Sequence, residues 1–385
     1  MVYEFERKLK ILGREATFDS SGLPKRFETK WKDEFIYQAV GEGGFCVNLF
    51  KVLQTNACKN NCLYCINRRD RDFRRFSFTP QELAKIFFTY YQRKKVQGLF
   101  LSSAIEKDVN LTQEKMLETL RILRKNYDYR GYIHFKILPG VDKRLIFEAV
   151  KWSDRISLNL EAPGEIYLKQ ISPEKDLQKI IIPTLEEMLE VNRLYPLKAG
   201  ITTQLMAGVS KETDKEIIFF AEGIYKRYGI KRIYYSGFIP IEDTPLENHP
   251  ECPRLREYRL YQADFLLRKY GFKKEEIVFD ERGNLFLSID PKLAWAKRHP
   301  EFFPVEINKA SFEELLRVPG IGIHSAEKIV NLRRIRKIKD LAMLKKIIYF
   351  FKKSQNFITL DGKPFFLKPS LKPHLEKQLF FWEEV

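Results

Sequence analysis

The chain has 385 residues, enough for two or three domains, and an apolar content of 44% can bury an ordinary globular core. Its 68 lysines and arginines outnumber 51 acidic residues to leave a formal charge of +17, which points to a polyanionic partner, because neutralised phosphates release condensed counterions. No run reaches the roughly 18 apolar residues of a membrane span, the start Met1-Val-Tyr-Glu-Phe-Glu-Arg7 has no apolar signal core, and five cysteines are too few and odd for a disulfide framework. These features exclude membrane and disulfide-rich secreted classes and make the cytosol the expected compartment.

Taken in order, residues 1–45 read as an N-terminal extension packing on the domain formed by residues 46–295. Apolar runs predict strands over 47–53, 98–102, 132–138, 156–160, 201–206 and 232–238. Amphipathic spacing predicts helices over 80–94, 113–127, 142–152, 182–194 and 211–228. Thr79 before Pro80 reads as a helix cap, and Thr112 reads as another. Strand and helix alternating at this spacing mean βαβ units around a parallel sheet. Six units make an α/β fold, a partial (βα)6 barrel over 46–295, with ligands expected at the carboxyl ends of its strands.

The first strand runs into Thr55-Asn-Ala-Cys-Lys-Asn-Asn-Cys-Leu-Tyr-Cys-Ile-Asn67. Cys58, Cys62 and Cys65 stand there at C-x3-C-x2-C spacing, with Tyr64 before the third. A zinc site wants four ligands, and neither Cys46, Cys252 nor any of the five histidines stands at zinc-knuckle spacing. An iron–sulfur cluster also normally takes four cysteines, so three would leave one iron of a four-iron cluster open to an external ligand. Beyond the third cysteine, Arg68, Arg69, Arg71, Arg74 and Arg75 read equally well as a phosphate-contacting rim or as a solvated charged loop. His134 and Lys136 share parity on one strand and could both face the barrel lumen. Cys252 lies in a proline-rich stretch as a plain loop thiol.

A second region follows Asp290-Pro-Lys-Leu-Ala-Trp295. Over 296–353 it contains Leu316-Arg-Val-Pro-Gly320-Ile-Gly322-Ile-His-Ser-Ala326, which resembles a helix-hairpin-helix motif. A short helix over 311–317 should end in a tight turn, and another should begin near Ile323. Amides at Gly320 and Gly322, with the following helix dipole, would face one anion. Ile321 would anchor the turn and Ala326 would let the helices approach. Lys328, Arg333 and Arg334 belong to a segment, 328–353, that holds ten basic residues and one acidic one. Such a clamp reads phosphate rather than base; the other reading is a hairpin that only buttresses the barrel. Residues 354–385 show no periodicity and form a tail without an assigned role.

The cysteine spacing resembles that of the radical S-adenosylmethionine (SAM) superfamily. Leu53-Gln-Thr-Asn-Ala-Cys58, Cys65-Ile-Asn-Arg-Arg69, Gly98-Leu-Phe-Leu-Ser-Ser103, Tyr132-Ile-His-Phe-Lys136, Tyr234-Tyr-Ser-Gly-Phe-Ile-Pro240, Arg259-Leu-Tyr-Gln-Ala-Asp264 and Asp290-Pro-Lys-Leu-Ala-Trp295 narrow the resemblance over about residues 8 to 345. They are similar to a group of radical SAM proteins assigned to DNA modification or repair, with a terminal helix-hairpin-helix. The resemblance implies a [4Fe-4S] cluster on Cys58, Cys62 and Cys65, with SAM on the open iron. It implies cofactor contacts from Tyr64, from Ser102 and Ser103 in place of the usual Gly-Gly-Glu element, and from Asn159, Glu161, Gln204 and Gly208. It also implies a flavodoxin- or ferredoxin-type electron donor, DNA as partner, and a neighbouring uracil-DNA-glycosylase-like protein. Radical chemistry on RNA or a free nucleotide, or a non-enzymatic iron–sulfur partner of such a glycosylase, are the alternative readings.

Overall fold

The computed structural model describes residues 2–18, 35–40 and 46–365. Most of the expected extension between 19 and 45, and residues 366–385 of the expected tail, lie outside them. The chain forms two compact units. One comprises residues up to Glu212 together with Phe220–Glu257; the other comprises Thr213–Phe219 and the chain from Tyr258 on.

The first unit opens with helix α1 (Val2–Ala16) and strand β1 (Ile36–Val40). The alternation then runs β2 (Cys46–Leu53), α2 (Pro80–Gln92), β3 (Gly98–Ser102), α3 (Val109–Lys125), β4 (Tyr132–Lys136), α4 (Lys143–Trp152), β5 (Arg155–Ser157), α5 (Glu165–Ile171), α6 (Ile182–Leu194), β6 (Ile201–Ala207), α7 (Asp214–Tyr228) and β7 (Arg232–Gly237). The seven strands form one sheet in sequence order. β2 through β7 are parallel and β1 adds to the edge antiparallel to β2. This curled half-barrel is the predicted architecture, with one antiparallel strand more than the sequence indicated.

Boundaries moved where local chemistry outweighed periodicity. Thr79 does cap α2: its hydroxyl accepts from Glu82 N while Glu82 reaches back to Thr79 N. Such a box is worth about 1 kcal/mol. Thr112 is not a cap. Asp108 caps α3 by accepting from Leu111 N, and Thr112 lies in the first turn, its hydroxyl donating to the Asp108 carbonyl at 2.7 Å. β5 stops at Ser157 instead of running to residue 160; beyond it Glu161 pairs again in an isolated parallel bridge with Leu205, at a left-handed φ of +68°.

One sheet face is apolar. Phe50 packs edge-on to Phe87 at 5.8 Å, and Phe87 to Tyr129 at 4.9 Å. Each ring is fully buried and contributes roughly 1.5–3 kcal/mol. The sheet also buries polar groups. Lys51 lies over the Tyr37 and Phe100 rings, and His134 meets the Ser157 hydroxyl at 2.8 Å and the Phe100 ring edge-on.

The second unit holds the C-terminal part of α8 (Arg254–Lys269), then α9 (Pro291–Arg298), β8 (Val305–Glu306), α10 (Phe312–Arg317), α11 (Ile323–Ile335), α12 (Leu341–Ile347), α13 (Phe351–Ser354), β9 (Ile358–Leu360) and β10 (Lys363–Pro364). The hairpin helices fall where the glycine turn placed them. The three short strands form a sheet in the order β10-β9-β8, so part of the expected tail is ordered structure. Ile307, Leu315, Val318, Ile321, Ala326, Ile329, Leu344, Ile348 and Ile358 share one buried core. Among the described residues, no helix is long and apolar enough to cross a membrane.

Candidate functional site

The cysteine loop begins where β2 ends and returns through a Thr55–Ser77 bridge. Its interior is organised by one side chain. The Arg75 guanidinium donates to the carbonyls of Asn56 (2.8 Å), Asn67 (2.9 Å), Arg68 (2.6 Å), Arg69 (3.3 Å) and Arg71 (3.0 Å). Arg71 donates to the Glu242 carbonyl, Arg69 to the Lys59 carbonyl and to Asp70, and Arg74 lies over the Phe76 ring. Of the two readings of this basic stretch, these contacts favour neither a phosphate rim nor a freely solvated loop. They make Arg75, with Arg69 and Arg71, an internal framework of the loop that carries the cysteines.

All three cysteines line one cavity of about 250 Å³ at the carboxyl ends of the strands. Cys62 is buried with its sulfur 3.0 Å from the Ser172 hydroxyl; Cys58 and Cys65 are half-buried, and the Asn67 amide points at the Cys65 sulfur. Burial pushes the Cys62 and Cys65 thiols up, and the neighbouring cysteines push further. Enclosed thiols that repel one another as thiolates need a cation to ionise. Among the described residues, no three His, Cys, Asp or Glu side chains converge on the point a single metal ion would occupy. A four-iron cluster takes its thiolates at separate corners, and three thiols lining one cavity fit three of them. Among the described residues, the lining contains no further cysteine and no histidine.

Of the other candidates, Tyr64, Ser102, Ser103, Asn159, Glu161 and Gln204 line the same cavity. The Ser103 hydroxyl donates to the Ala104 carbonyl. Gly208 does not line it: its amide is taken by the Glu212 carboxylate at 2.5 Å, and its Cα packs on Cys252. That packing makes Cys252 a buried thiol, not merely a loop one. Of the parity pair, Lys136 reaches the cavity and donates to the Asn159 side chain, while His134 is not in the lining.

Two lining residues carried no signal in the sequence. Lys175 pairs with Glu161 at 2.9 Å. Burial works against its charge, but Cys62 and Glu161 outweigh it and keep the ammonium protonated well above the ordinary lysine range. Glu15, near the end of α1, presents a buried carboxylate with one oxygen unpartnered. Burial raises its pKa to about 7 against the opposing pull of Asn56 and Arg75. Lys175 sits in irregular chain and Glu15 on a remote helix, so neither spacing nor periodicity could assign them.

The hairpin turn of the second unit joins α10 to α11. Gly320 has φ +86°, and a Cβ there would lie 2.8 Å from the Phe350 carbonyl, so only glycine fits. Gly322 caps α11 with ordinary extended φ −94° and ψ 178°; its lack of a side chain clears the approach to the first amides of the helix. Ile321 and Ala326 are buried as the sequence required. Beneath the turn, buried Lys292 donates to the Ile321 carbonyl at 2.5 Å, and burial lowers its pKa to about 7. Asp290 pairs with Lys353, Lys337 with Asp361, and Arg333 donates to the Ile307 carbonyl. Lys328 and Arg334 are exposed.

Comparison with known proteins agrees with this division. Residues 52–222 match the radical SAM superfamily and residues 302–355 the helix-hairpin-helix motif. An uncharacterized protein of Methanocaldococcus jannaschii is 25% identical over 215 residues, 53% of this chain and 52% of its own. The 7,8-didemethyl-8-hydroxy-5-deazariboflavin synthase of Methanopyrus kandleri is 24% identical over 223 residues, 53% and 64% of the two chains. The chain thus spans between about half and two thirds of the length of these relatives. The X-ray structure of the FeFe-hydrogenase maturase HydG from Carboxydothermus hydrogenoformans overlaps 56% of this chain and 50% of its own, at 15% identity and a TM-score of 0.45. The radical SAM family uses a [4Fe-4S] cluster and SAM. The chain thus carries a radical SAM domain over residues 52–222 and a helix-hairpin-helix region toward its C-terminus.

Proposed function

We propose that this protein is a radical SAM enzyme that acts on nucleic acid, with DNA as the target. The observation that carries the reading is the pairing of two features in one chain. One is a cavity lined by three thiols and, among the described residues, by no fourth cysteine or histidine; the other is a glycine turn followed by an exposed basic segment. When bound, the cluster supplies the electron that cleaves SAM to methionine and a 5′-deoxyadenosyl radical. Cys58, Cys62 and Cys65 hold the cluster, and Arg75 fixes the loop that presents them. Ser102, Ser103, Asn159, Glu161 and Gln204 orient the cofactor from the strand ends, and the Lys175 ammonium holds Glu161 in place. The cavity walls keep water from the reacting centre. In the second unit the Gly320 and Gly322 amides and the α11 dipole hold one backbone phosphate, with Lys328 and Arg334 beside it. A target base would leave its stack to enter the cavity.

Two measurements test this. Anaerobically reconstituted, reduced protein should convert SAM to methionine and 5′-deoxyadenosine. It should also bind labelled duplex DNA with an affinity that falls steeply with salt, by a slope of roughly −0.9 per phosphate contacted. Gly322→Asp supplies an acceptable helix cap and so keeps the fold, but it sets a negative charge beside the phosphate. It should weaken binding to all sequences alike and leave SAM cleavage without DNA unchanged. Equal affinities and salt slopes for wild type and variant would reduce the hairpin to a structural buttress. In that case a small molecule, as in the deazariboflavin synthase relative, becomes the better substrate class for the cavity.

A further inference from the structure

The glycine turn rests on a lysine that the phosphate reading leaves unused. Lys292, in the first turn of α9, is 8% exposed, and its amino group donates to the Ile321 carbonyl at 2.5 Å. That carbonyl and the Gly322 amide belong to one peptide group. In a trans peptide the C=O and the N–H point in opposite directions, so Lys292 occupies one end and the Gly322 N–H leaves from the other. Among the described residues the Gly322 amide has no acceptor, and it stands at the cap of α11, whose first amides lack partners within the helix.

Lys292, this peptide and a phosphate oxygen would therefore form one chain of hydrogen bonds. Each bond in such a chain polarises the next, so a proton donated at the Ile321 carbonyl makes the Gly322 N–H a stronger donor. A charge on Lys292 would lie roughly 7 Å from the phosphate oxygen, two hydrogen bonds and one peptide group away.

The lysine is poised between its neighbours. Burial weighs most against its charge and brings the pKa down to about 7. Asp290, the cap of the same helix, favours the charge, while Lys353 from α13 and Arg317 from α10 oppose it. Asp290 is itself shared, since it pairs with Lys353 and faces Arg259 from α8. The Tyr270 ring lies under the Lys292 nitrogen at 4.7 Å. A further anion close by tips such a group toward its charged form.

We propose that Lys292 is a positioning residue of the hairpin's phosphate site, strengthening the Gly322 amide through the Ile321 carbonyl and gaining a proton when a nucleic-acid phosphate binds. Binding by the second unit then weakens as pH rises. This rests on the nucleic-acid reading above and adds to it how that site is regulated.

The test uses the full reconstituted chain and a plain labelled duplex at fixed salt. His324 carries an exposed imidazole in the first turn of α11, so His324→Gln is the background throughout. Calorimetry in buffers of different ionisation enthalpy should show uptake of roughly half a proton per chain at about pH 7.5. Affinity should fall by roughly 3- to 50-fold from about pH 6 to about pH 9, the range spanned by one charge at this distance between water and a protein surface. Lys292→Met keeps the length of the side chain without the charge. It should abolish the uptake, flatten the profile and match its parent at the alkaline end. Lys292→Arg stays charged throughout. It should also abolish the uptake but hold the tighter affinity at every pH, which guards against a misfolded methionine variant. Equal weakening of Lys292→Met at every pH would make the lysine a mere prop and overturn the proposal. Duplex binding without proton uptake, or uptake that persists in both variants, would overturn it and leave the nucleic-acid reading standing. No duplex binding under any of these conditions would overturn both.

Discussion

Two stretches of this chain are rich in arginine and lysine and use them differently. Between residues 67 and 75 the Arg75 guanidinium turns inward and alone serves five loop carbonyls, while Arg69 and Arg71 each reach a further carbonyl. Between 328 and 353 three of the ten are engaged: Arg333 by a carbonyl, Lys337 and Lys353 by carboxylates. The others, Lys328, Arg334, Arg336, Lys339, Lys345, Lys346 and Lys352, are exposed. A loop with unsatisfied carbonyls captures guanidinium groups, since each offers five donors, whereas a helix surface leaves them to solvent or to a polyanion. Net charge is therefore a local quantity. The +17 of the whole chain says little about the cysteine loop and much about the hairpin region.

The largest effect expected from breaking this contrast is at the cysteines. Cys58→Ala, Cys62→Ala or Cys65→Ala should abolish iron binding after anaerobic reconstitution, while Cys46→Ala and Cys252→Ala should retain it. Iron analysis and visible absorbance would read this, and zinc in place of iron would sink the assignment. Arg75→Ala comes next. Hydrogen bonds to charged groups are worth about 1.5–3 kcal/mol each, but water replaces part of a half-buried set, so a net loss of ~2–4 kcal/mol is expected. Thermal unfolding and iron retention should both fall. Arg75→Lys should restore little, because a point charge cannot fork to several carbonyls. Unchanged melting and iron content in Arg75→Ala would show that the loop is held by other contacts.

The hairpin glycines offer a smaller effect with an internal control. Gly320→Ala should cost about 1–2 kcal/mol for the left-handed backbone, and more for the approach to the Phe350 carbonyl. Gly322→Asp should leave the melting temperature nearly unchanged. Equal destabilisation of the two variants would contradict the different backbone conformations of the two glycines.

The smallest effects are in pH dependence, and the two units should answer with opposite signs. Burial raises the Glu15 pKa to about 7 from the ordinary 4.5, so the fold favours the protonated form. Its contribution is full below the unfolded value and is lost as pH rises through about 7. Burial lowers the Lys292 pKa from 10.5 to about 7, so the fold favours the neutral amine. That contribution is full above 10.5 and is lost as pH falls through about 7. Glu15→Gln should thus gain on wild type as pH rises, and Lys292→Met should gain as pH falls. Denaturant unfolding across a pH series would read both; parallel curves would mean that neither group is buried as described.

Most strands were legible because apolar-rich runs alternate with amphipathic helices. The cysteine loop stood out because three thiols fall within eight residues. Gly320 and Gly322 were legible because a tight turn needs them. What escaped was set by tertiary structure. Glu15 enters the cavity from α1, Lys175 arrives in irregular chain, and Arg75 looked like surface charge until the carbonyls around it were in place. β9 and β10 have three residues and two, too few to display any alternation.

The segment Asp290-Pro-Lys-Leu-Ala-Trp295 bears on how modular the hairpin region is. Asp290 holds Lys353, Lys292 holds the Ile321 carbonyl, and Trp295 lies against the Arg317 guanidinium, which also pairs with Glu276. The recognisable motif begins at residue 302, downstream of every one of those supports. A graft cut at that border would strip the first turn of the Lys292 side chain beneath it and leave Lys353 and Arg317 without their partners. A transplantable module has to start upstream of Tyr270, whose ring lies under Lys292, so the portable piece is larger than the part that is easy to recognise.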